Sequence, residues 1–300
     1  MIPLRKIPDK GDPSDILQVF PTINPELLCC RYWWLKNWEF NELSFPYWRI
    51  YTNNRDGAVI THNGIDYPLR EGKIIMIAPN TNFSTRLFNN PIPKTGYVIR
   101  GDKVDFSTEE LLEGNYLLHL FIHFNLGTLY DNVKPGIFEF NISGLLQKKI
   151  DSITSHLRKD STQFNFKVAL NIQSLITHLL SEIEEKDRFD VSTDLRILDT
   201  LDFIENNISQ PLSNEILAER VKLATNAFNR LFKQETGLSP QKYVRKKRID
   251  KSCVLLHHSG QSIEQVALAG GFADRYHFSR IFKQVTGLSP ALYRKNFKLS

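Results

Sequence analysis

The strongest constraint on this chain is a passage that occurs twice. "FNRLFKQETGLSPQKY" (228–243) returns fifty residues later as "FSRIFKQVTGLSPALY" (278–293), and 11 of the 16 aligned positions are identical. They are Phe228, Arg230, Phe232, Lys233, Gln234, Thr236, Gly237, Leu238, Ser239, Pro240 and Tyr243, each matched 50 residues on. Such self-similarity reports a repeated supersecondary unit. Two copies are too few for a stacked solenoid, so the chain is expected to carry two related modules side by side. Upstream the offset falls to 49 (Leu223/Phe272), which leaves one extra turn residue in the second copy.

Each copy reads as helix, tight turn, helix. In the first, Ser213 is the expected N-cap of "NEILAERV", whose Ile216, Leu217 and Val221 recur at helical spacing. "KLAT" (222–225) makes the turn, Thr225 caps "NAFNRLFKQET", and Gly237 ends it in the left-handed conformation. In the second, Ser262 caps "IEQVALAG", Gly270-Gly271 turn the chain, Asp274 caps "RYHFSRIFKQVT", and Gly287 ends it. One face of each second helix is apolar: Phe228, Leu231 and Phe232, then Phe278, Ile281 and Phe282. The opposite face carries Asn226, Asn229, Arg230 and Lys233 in the first unit. In the second it carries Arg275, Tyr276, Ser279, Arg280 and Lys283. Arg and Asn make bidentate contacts with base edges in the major groove, whereas Lys and Ser suit phosphates. These nine residues are the candidate DNA contacts. Between the units, "SPQKYVRKKRIDKSCVLLHH" (239–258) predicts one continuous helix opening on Ser-Pro. Recognition helices held ~34 Å apart would enter successive major grooves on one side of a duplex. "KKR" (246–248) adds candidate phosphate contacts.

Charge supports the same partner. The whole chain is +5, but residues 213–300 hold 16 Lys/Arg against 6 Asp/Glu, a net of +10, and the remainder is −5. A basic module on a mildly acidic one suits a polyanion.

The doubled unit resembles the AraC/XylS transcriptional regulators over roughly Leu195 to Phe297. The resemblance lies in "GGFADRYHFSRIFKQVTGLSPALYRK": Gly-Phe in the turn, Phe-Ser-Arg-x-Phe-Lys in the recognition helix, and Gly-x-Ser-Pro-x-x-Tyr-Arg after it. Gly270-Gly271 departs from the family, which often has a larger residue first. Asn226 and Asn229 mean that the first unit's base preference is not inherited.

The first 140 residues show short β-like runs between turn signals: 47–53, 58–64, 73–79, 96–101 and 117–126. Strands of this length with Asn, Gly and Pro between them predict a small β-barrel or sandwich. "DYPLREGKIIMIAPNTNFSTR" (66–86) and "IHF" (122–124) resemble the cupin-like, sugar-binding domain often found N-terminal to this DNA-binding pair. All four tryptophans (33, 34, 38 and 48) fall within 16 residues, joined by Tyr32, Tyr47 and Tyr51. Aromatic planes with polar neighbours suit a small-molecule pocket or build the barrel wall. Candidate ligand contacts are Trp48, Arg49, Tyr51, His62, Arg86, His119 and His123, with Arg55 a further polar candidate. Strand alternation puts His119, Phe121 and His123 on one face, and sets Trp48 opposite Arg49 and Tyr51. The metal-cupin pattern of His-x-His, Glu and a later His is not matched, so no metal, cofactor or catalytic residue is expected. Three cysteines, two of them adjacent, do not make a disulfide framework.

Two helices, 143–159 and 166–186, follow. The second carries Leu170, Ile172, Leu175, Ile176, Leu179, Leu180 and Ile183 for a dimer seam or for packing on its own barrel. The expected organisation is an α+β two-domain chain. It comprises a cupin-like β domain (1–142), coupling helices (143–186), a linker (187–194), and an all-α double helix-turn-helix domain (195–300). The opening "MIPLRKIPDKGDPSD" lacks a signal-like apolar segment and no run suits a bilayer, so a cytoplasmic site is expected. The functional expectation is a non-enzymatic, ligand-responsive transcription regulator of carbohydrate-related genes. Its partners would be promoter DNA, a small effector such as a sugar, a second copy of the chain, and RNA polymerase if it activates. A metal-dependent sugar enzyme with a DNA-binding tail and a β domain that only dimerises are the alternatives.

Overall fold

The computed structural model describes residues 23–91, 97–104, 116–131, 133–159, 163–184 and 194–297. The N-terminal stretch 1–22 and the expected linker, apart from Asp194, lie outside the described residues.

The N-terminal half is a curled antiparallel sheet. Its strands are β1 (Glu26–Leu43), β2 (Trp48–Asn53), β3 (Ala58–His62), β4 (Ile65–Leu69), β5 (Lys73–Ile77), β6 (Phe83–Leu87), β7 (Tyr97–Lys103), β8 (Leu118–Asn125) and β9 (Ile137–Asn141). The order is β4-β3-β6-β1-β8-β2-β5-β9, with β7 paired to the other edge of β1. Five of these strands match the sequence expectation, although β3 stops at His62. There Asn63 and Gly64, both at positive φ, make the tight turn into β4 that mirror-image hairpin turns require. Pro68 is tolerated because β4 is the sheet's edge.

The 18-residue β1 has no clean period of two. Its pairing slips between Leu27 and Cys29, between Leu35 and Asn37, and between Phe40 and Leu43. Each bulge shifts the alternation by one and hides the strand from a pattern reading.

Alternation along the regular strands gives the sheet two apolar faces. Trp48, Ile50, Ile74, Met76, Leu120, Ile122 and Phe124 pack under two helices beyond a short α1 (Thr128–Asp131). These are α2 (Gly144–Lys159) and α3 (Phe166–Ser181). Ile172, Leu175, Ile176 and Leu179 of α3 are fully buried in this cluster, so most of the expected seam packs on its own domain. Phe166 and Leu170 stay exposed.

The C-terminal domain is all-helical. It contains α4 (Leu195–Asn206), α5 (Asn214–Arg220), α6 (Thr225–Thr236), α7 (Pro240–His258), α8 (Ile263–Ala269), α9 (Arg275–Thr286) and α10 (Pro290–Phe297). Ser213, Ser262 and Asp274 cap as expected, and Ser262 forms a full capping box with Gln265. Gly237 and Gly287 both adopt the left-handed conformation. Thr225 is not a cap: it is the first residue of α6, and Ala224 takes the cap position without a side-chain bond.

The repeated residues do repeated work. Phe232 meets Tyr243 edge-on at 5.5 Å and Phe282 meets Tyr293 at 5.3 Å. Thr236 and Thr286 close the same turn on Leu238 and Leu288, each accepting the leucine N–H at 3.3 Å. The joining helix α7 serves two cores in succession. Tyr243 and Val244 complete the first unit's core, while Ile249, Cys253 and Leu256 belong to the second.

Gly271 sits at φ +75 where a Cβ would meet the Ile208 carbonyl at 2.5 Å, and Gly270 backs onto Ser252 Oγ at 2.6 Å. Both glycines of this turn are therefore fixed by contact with neighbouring elements. Among the described residues no helix is long and apolar enough to cross a membrane.

Candidate nucleic-acid interface and effector cavity

Helices α6 and α9 bury Phe228 and Phe232, and Phe278, Ile281 and Phe282, respectively. A helix that spends one stripe on a core presents the other to solvent. Asn226, Arg230 and Lys233 are exposed on α6, as are Arg275, Tyr276, Arg280 and Lys283 on α9. Asn229 and Ser279 are half-buried, and the Asn229 Oδ1 has no hydrogen-bond partner among the described residues.

Several other cationic groups of this domain are engaged. Arg220 holds Asp199 at 2.8 Å, Lys246 holds Asp250 at 3.1 Å, and Lys247 reaches Glu205 at 3.6 Å. Arg248 donates to the Ile208 and Gln210 carbonyls. "KKR" is thus occupied within the protein rather than offered to phosphates. Arg230, Lys233, Arg280 and Lys283 form no ion pair among the described residues, and all four recur at the 50-residue offset.

Arg230→Ala and Arg280→Ala are each expected to weaken specific DNA binding by about 1–3 kcal/mol. The check is titration of the full chain on cognate and random duplexes over a salt series. A base-reading arginine loses cognate binding selectively, a phosphate contact loses both equally, and no loss overturns the assignment.

The second constellation lies on the sheet's other face. Pairing aligns Arg49, His123 and Cys29 in one row across β2, β8 and β1, and Asn53, His119 and Trp33 in another. Cross-strand partners share a face. Arg49, Tyr51, His119 and His123 line a partly open cavity with Trp33, Trp38, Phe40, Phe45, Arg100 and, from α7, His257.

Arg49 is 4% exposed. Its guanidinium donates to Tyr51 Oη at 2.7 Å and Tyr47 Oη at 2.8 Å, and lies 3.4 Å from the Phe45 ring centroid. Tyr47 Oη also meets His257 Nδ1 at 2.6 Å. The Tyr47 phenol thus accepts from Arg49 and shares a hydrogen bond with the imidazole, so a polar chain runs from the sheet into the helical domain. No carboxylate pairs with Arg49 among the described residues. A guanidinium does not deprotonate in a protein, so its charge persists in this apolar site.

The sequence-selected residues divide cleanly. Trp48 faces the other way, 1% exposed and stacked near Phe124, and does not line the cavity. His62 and Arg86 lie at the periphery, on the Asn82 carbonyl and Asp66 respectively. His257 was missed because its element is 210 residues from Tyr47 in sequence. The adjacent "HH" closing an otherwise basic helix was the available signal.

Burial sets the protonation of this face. It pulls His119 down to about 3 and His258 down to about 3, holds His123 and His257 well below the ordinary range, and pushes the Cys29 thiol up to about 12. His119 Nδ1 sits 2.7 Å from Asn53 Oδ1, as a neutral donor would. Unfolded His119 takes a proton near pH 6.5 and folded His119 does not, so stability is flat above that pH and falls below it. The slope is roughly 1.4 kcal/mol per pH unit for this residue. Chemical denaturation of the wild type and His119→Gln at pH 7 and pH 5 checks it. The wild type should lose about 2 kcal/mol more than the variant over that span, and an offset independent of pH would contradict it.

Residues 217–296 match a helix-turn-helix domain family. The transcriptional activator RhaS of Escherichia fergusonii is 30% identical over 133 residues, covering 44% of this chain and 48% of that protein. RhaS of Citrobacter koseri is 26% identical over 150 residues, covering 49% and 53%. The chain spans about half the length of these curated relatives. Over nearly the whole chain the fold is similar to ToxT of Vibrio cholerae O395, with TM-score 0.52, 12% identity, and coverage of 92% and 99%. A second similar ToxT structure, from strain SCE256, is described as unsaturated fatty acid bound, with TM-score 0.51, 14% identity, and coverage of 93% and 98%.

Proposed function

Because the chain belongs, through its helix-turn-helix region, to the AraC/XylS family, we propose that it is a sequence-specific transcription regulator whose DNA affinity is set by a small acidic effector. The observation that carries this reading is the cavity shared between the sheet and α7, lined by Arg49 from the one and His257 from the other. A ligand touching both domains binds the docked arrangement more tightly than any undocked one, and such differential affinity is what ligand control requires.

Arg49 supplies the chemical class. A buried cation without a carboxylate partner among the described residues calls for an anion, and the aromatic walls suit an apolar or C–H-rich body. Sugar acids and unsaturated fatty acids both meet that description. The fatty-acid-bound form of ToxT supports the second, while the aromatic lining keeps sugars in the comparison. The exposed Phe166 and Leu170 on α3 support a homodimer. A cytoplasmic, non-enzymatic role, with RNA polymerase as a partner if it activates, completes the proposal.

The test is promoter-fragment binding by the full chain against neutral sugars, sugar acids and unsaturated fatty acids. A shift in DNA affinity with an acid and not with its amide or ester supports the reading. Thermal stabilisation by no member of the panel would favour a β domain that only dimerises.

A further inference from the structure

Behind the cavity, where α7 ends against β1 and β8, a thiol and two imidazoles converge. Cys29 Sγ lies 3.2 Å from His123 Nδ1. With one donor atom from His258, the three fall within 4.8 Å of one another. His123 is 4% exposed, and the Nε2 atoms of His123 and His258 are buried without a hydrogen-bond partner among the described residues. Buried polar atoms left unpaired are uncommon and costly, and an unrecognised ion is one recurrent reason for them.

We infer that Cys29, His123 and His258 form a binding site for a thiophilic d10 cation, Cu+ or Zn2+, that fastens the end of α7 to the sheet. Thiolate with imidazole is the donor set that selects these ions over hard cations. Bonds of about 2.0–2.3 Å to a common ion place ligand atoms roughly 3.3–3.9 Å apart. The existing separations therefore close with movements of about an ångström, within side-chain rotations. Binding exchanges the Cys29 thiol proton, released to solvent, for a sulfur–metal bond.

The neighbouring charge discriminates between the two ions. With one thiolate, a Cu+ complex is neutral and a Zn2+ complex keeps +1 beside the buried Arg49, so Cu+ is favoured. Zn2+ would also need a fourth ligand, from water or from His257, which stacks on His258 at 4.2 Å. Two ligands come from the β domain and one from the DNA-binding domain. The ion therefore stabilises the docked arrangement by mass action, whichever effector the cavity takes.

The experiment uses the full chain, loaded anaerobically with Cu+ against a chromophoric chelator and, in a second arm, with Zn2+ and its spectroscopic substitute Co2+. The expected result is one ion per chain, with a thiolate-to-metal charge-transfer band and a rise in the thermal midpoint. Cys29→Ser should abolish the band, His258→Gln should weaken binding at least tenfold, and Cys30→Ser, on the opposite face of β1, should leave both unchanged. The wild-type band reports thiolate ligation even where a variant folds poorly. Binding of Zn2+ alone with the same variant sensitivity supports the site and corrects the ion. Binding unaltered in His258→Gln, or equal in Cys29→Ser and wild type, overturns the proposal.

Discussion

Gly271→Ala is expected to unseat the second helix-turn-helix unit from the first and to abolish specific DNA binding. Gly271 holds φ +75, and an added Cβ would stand 2.5 Å from the Ile208 carbonyl and 2.8 Å from Arg248 Nε. The obstructing atoms are backbone and a guanidinium already committed to the Ile208 and Gln210 carbonyls. Left-handed strain and overpacking together should cost about 2–5 kcal/mol. Gly260→Ala is the matched control, because a Cβ there meets nothing within 4 Å. Denaturation midpoints and duplex titrations on both variants check the expectation. If Gly271→Ala matched Gly260→Ala in both, the contact between the units would not set their relative placement.

Arg49→Met is expected to remove effector binding almost entirely. Losing one partner of a buried, hydrogen-bonded charge pair costs about 2–5 kcal/mol, or roughly thirty- to several-thousand-fold in affinity. Calorimetric titration with the acid that shifts DNA binding is the measurement, and Arg49→Lys should recover part of the affinity. Trp48→Ala should behave in the opposite way. Its ring packs among Ile50, Phe124 and their neighbours under α2 and α3, so truncation should destabilise the domain by about 3–5 kcal/mol. Effector affinity measured on the folded fraction should then be unchanged. Equal binding by Arg49→Met and wild type would end the acidic-effector reading.

The helical half was legible because its signals are local. Ser213, Ser262, Asp274, Gly237 and Gly287 each act within a few residues, and duplication states the serine and glycine signals twice. The β half was legible strand by strand but not as a site. Alternation along "YWRIY" established that Trp48 and Arg49 point apart, but not which of them faces the cavity. That choice depends on which sheet face α2 and α3 cover, a long-range fact. The same limit hid Cys29, His123 and His258. A search for ligands at short spacing within one domain cannot find a set drawn from two strands and a helix of the other domain. The bulges of β1 removed the periodicity that would have placed Cys29 beside His123.

Helix α7 is also a phase-setting shaft. It runs unbroken from Pro240 to His258, with the first unit on its early turns and the cavity wall on its last residues. Each residue advances an α-helix by about 100° and 1.5 Å. A one-residue insertion after Val244 would therefore swing His257 and His258 a quarter-turn away from Tyr47 and His123, while turning α9 out of step with α6. Groove phasing and effector contact share one torsional reference, so the helix can vary in surface chemistry but not in length.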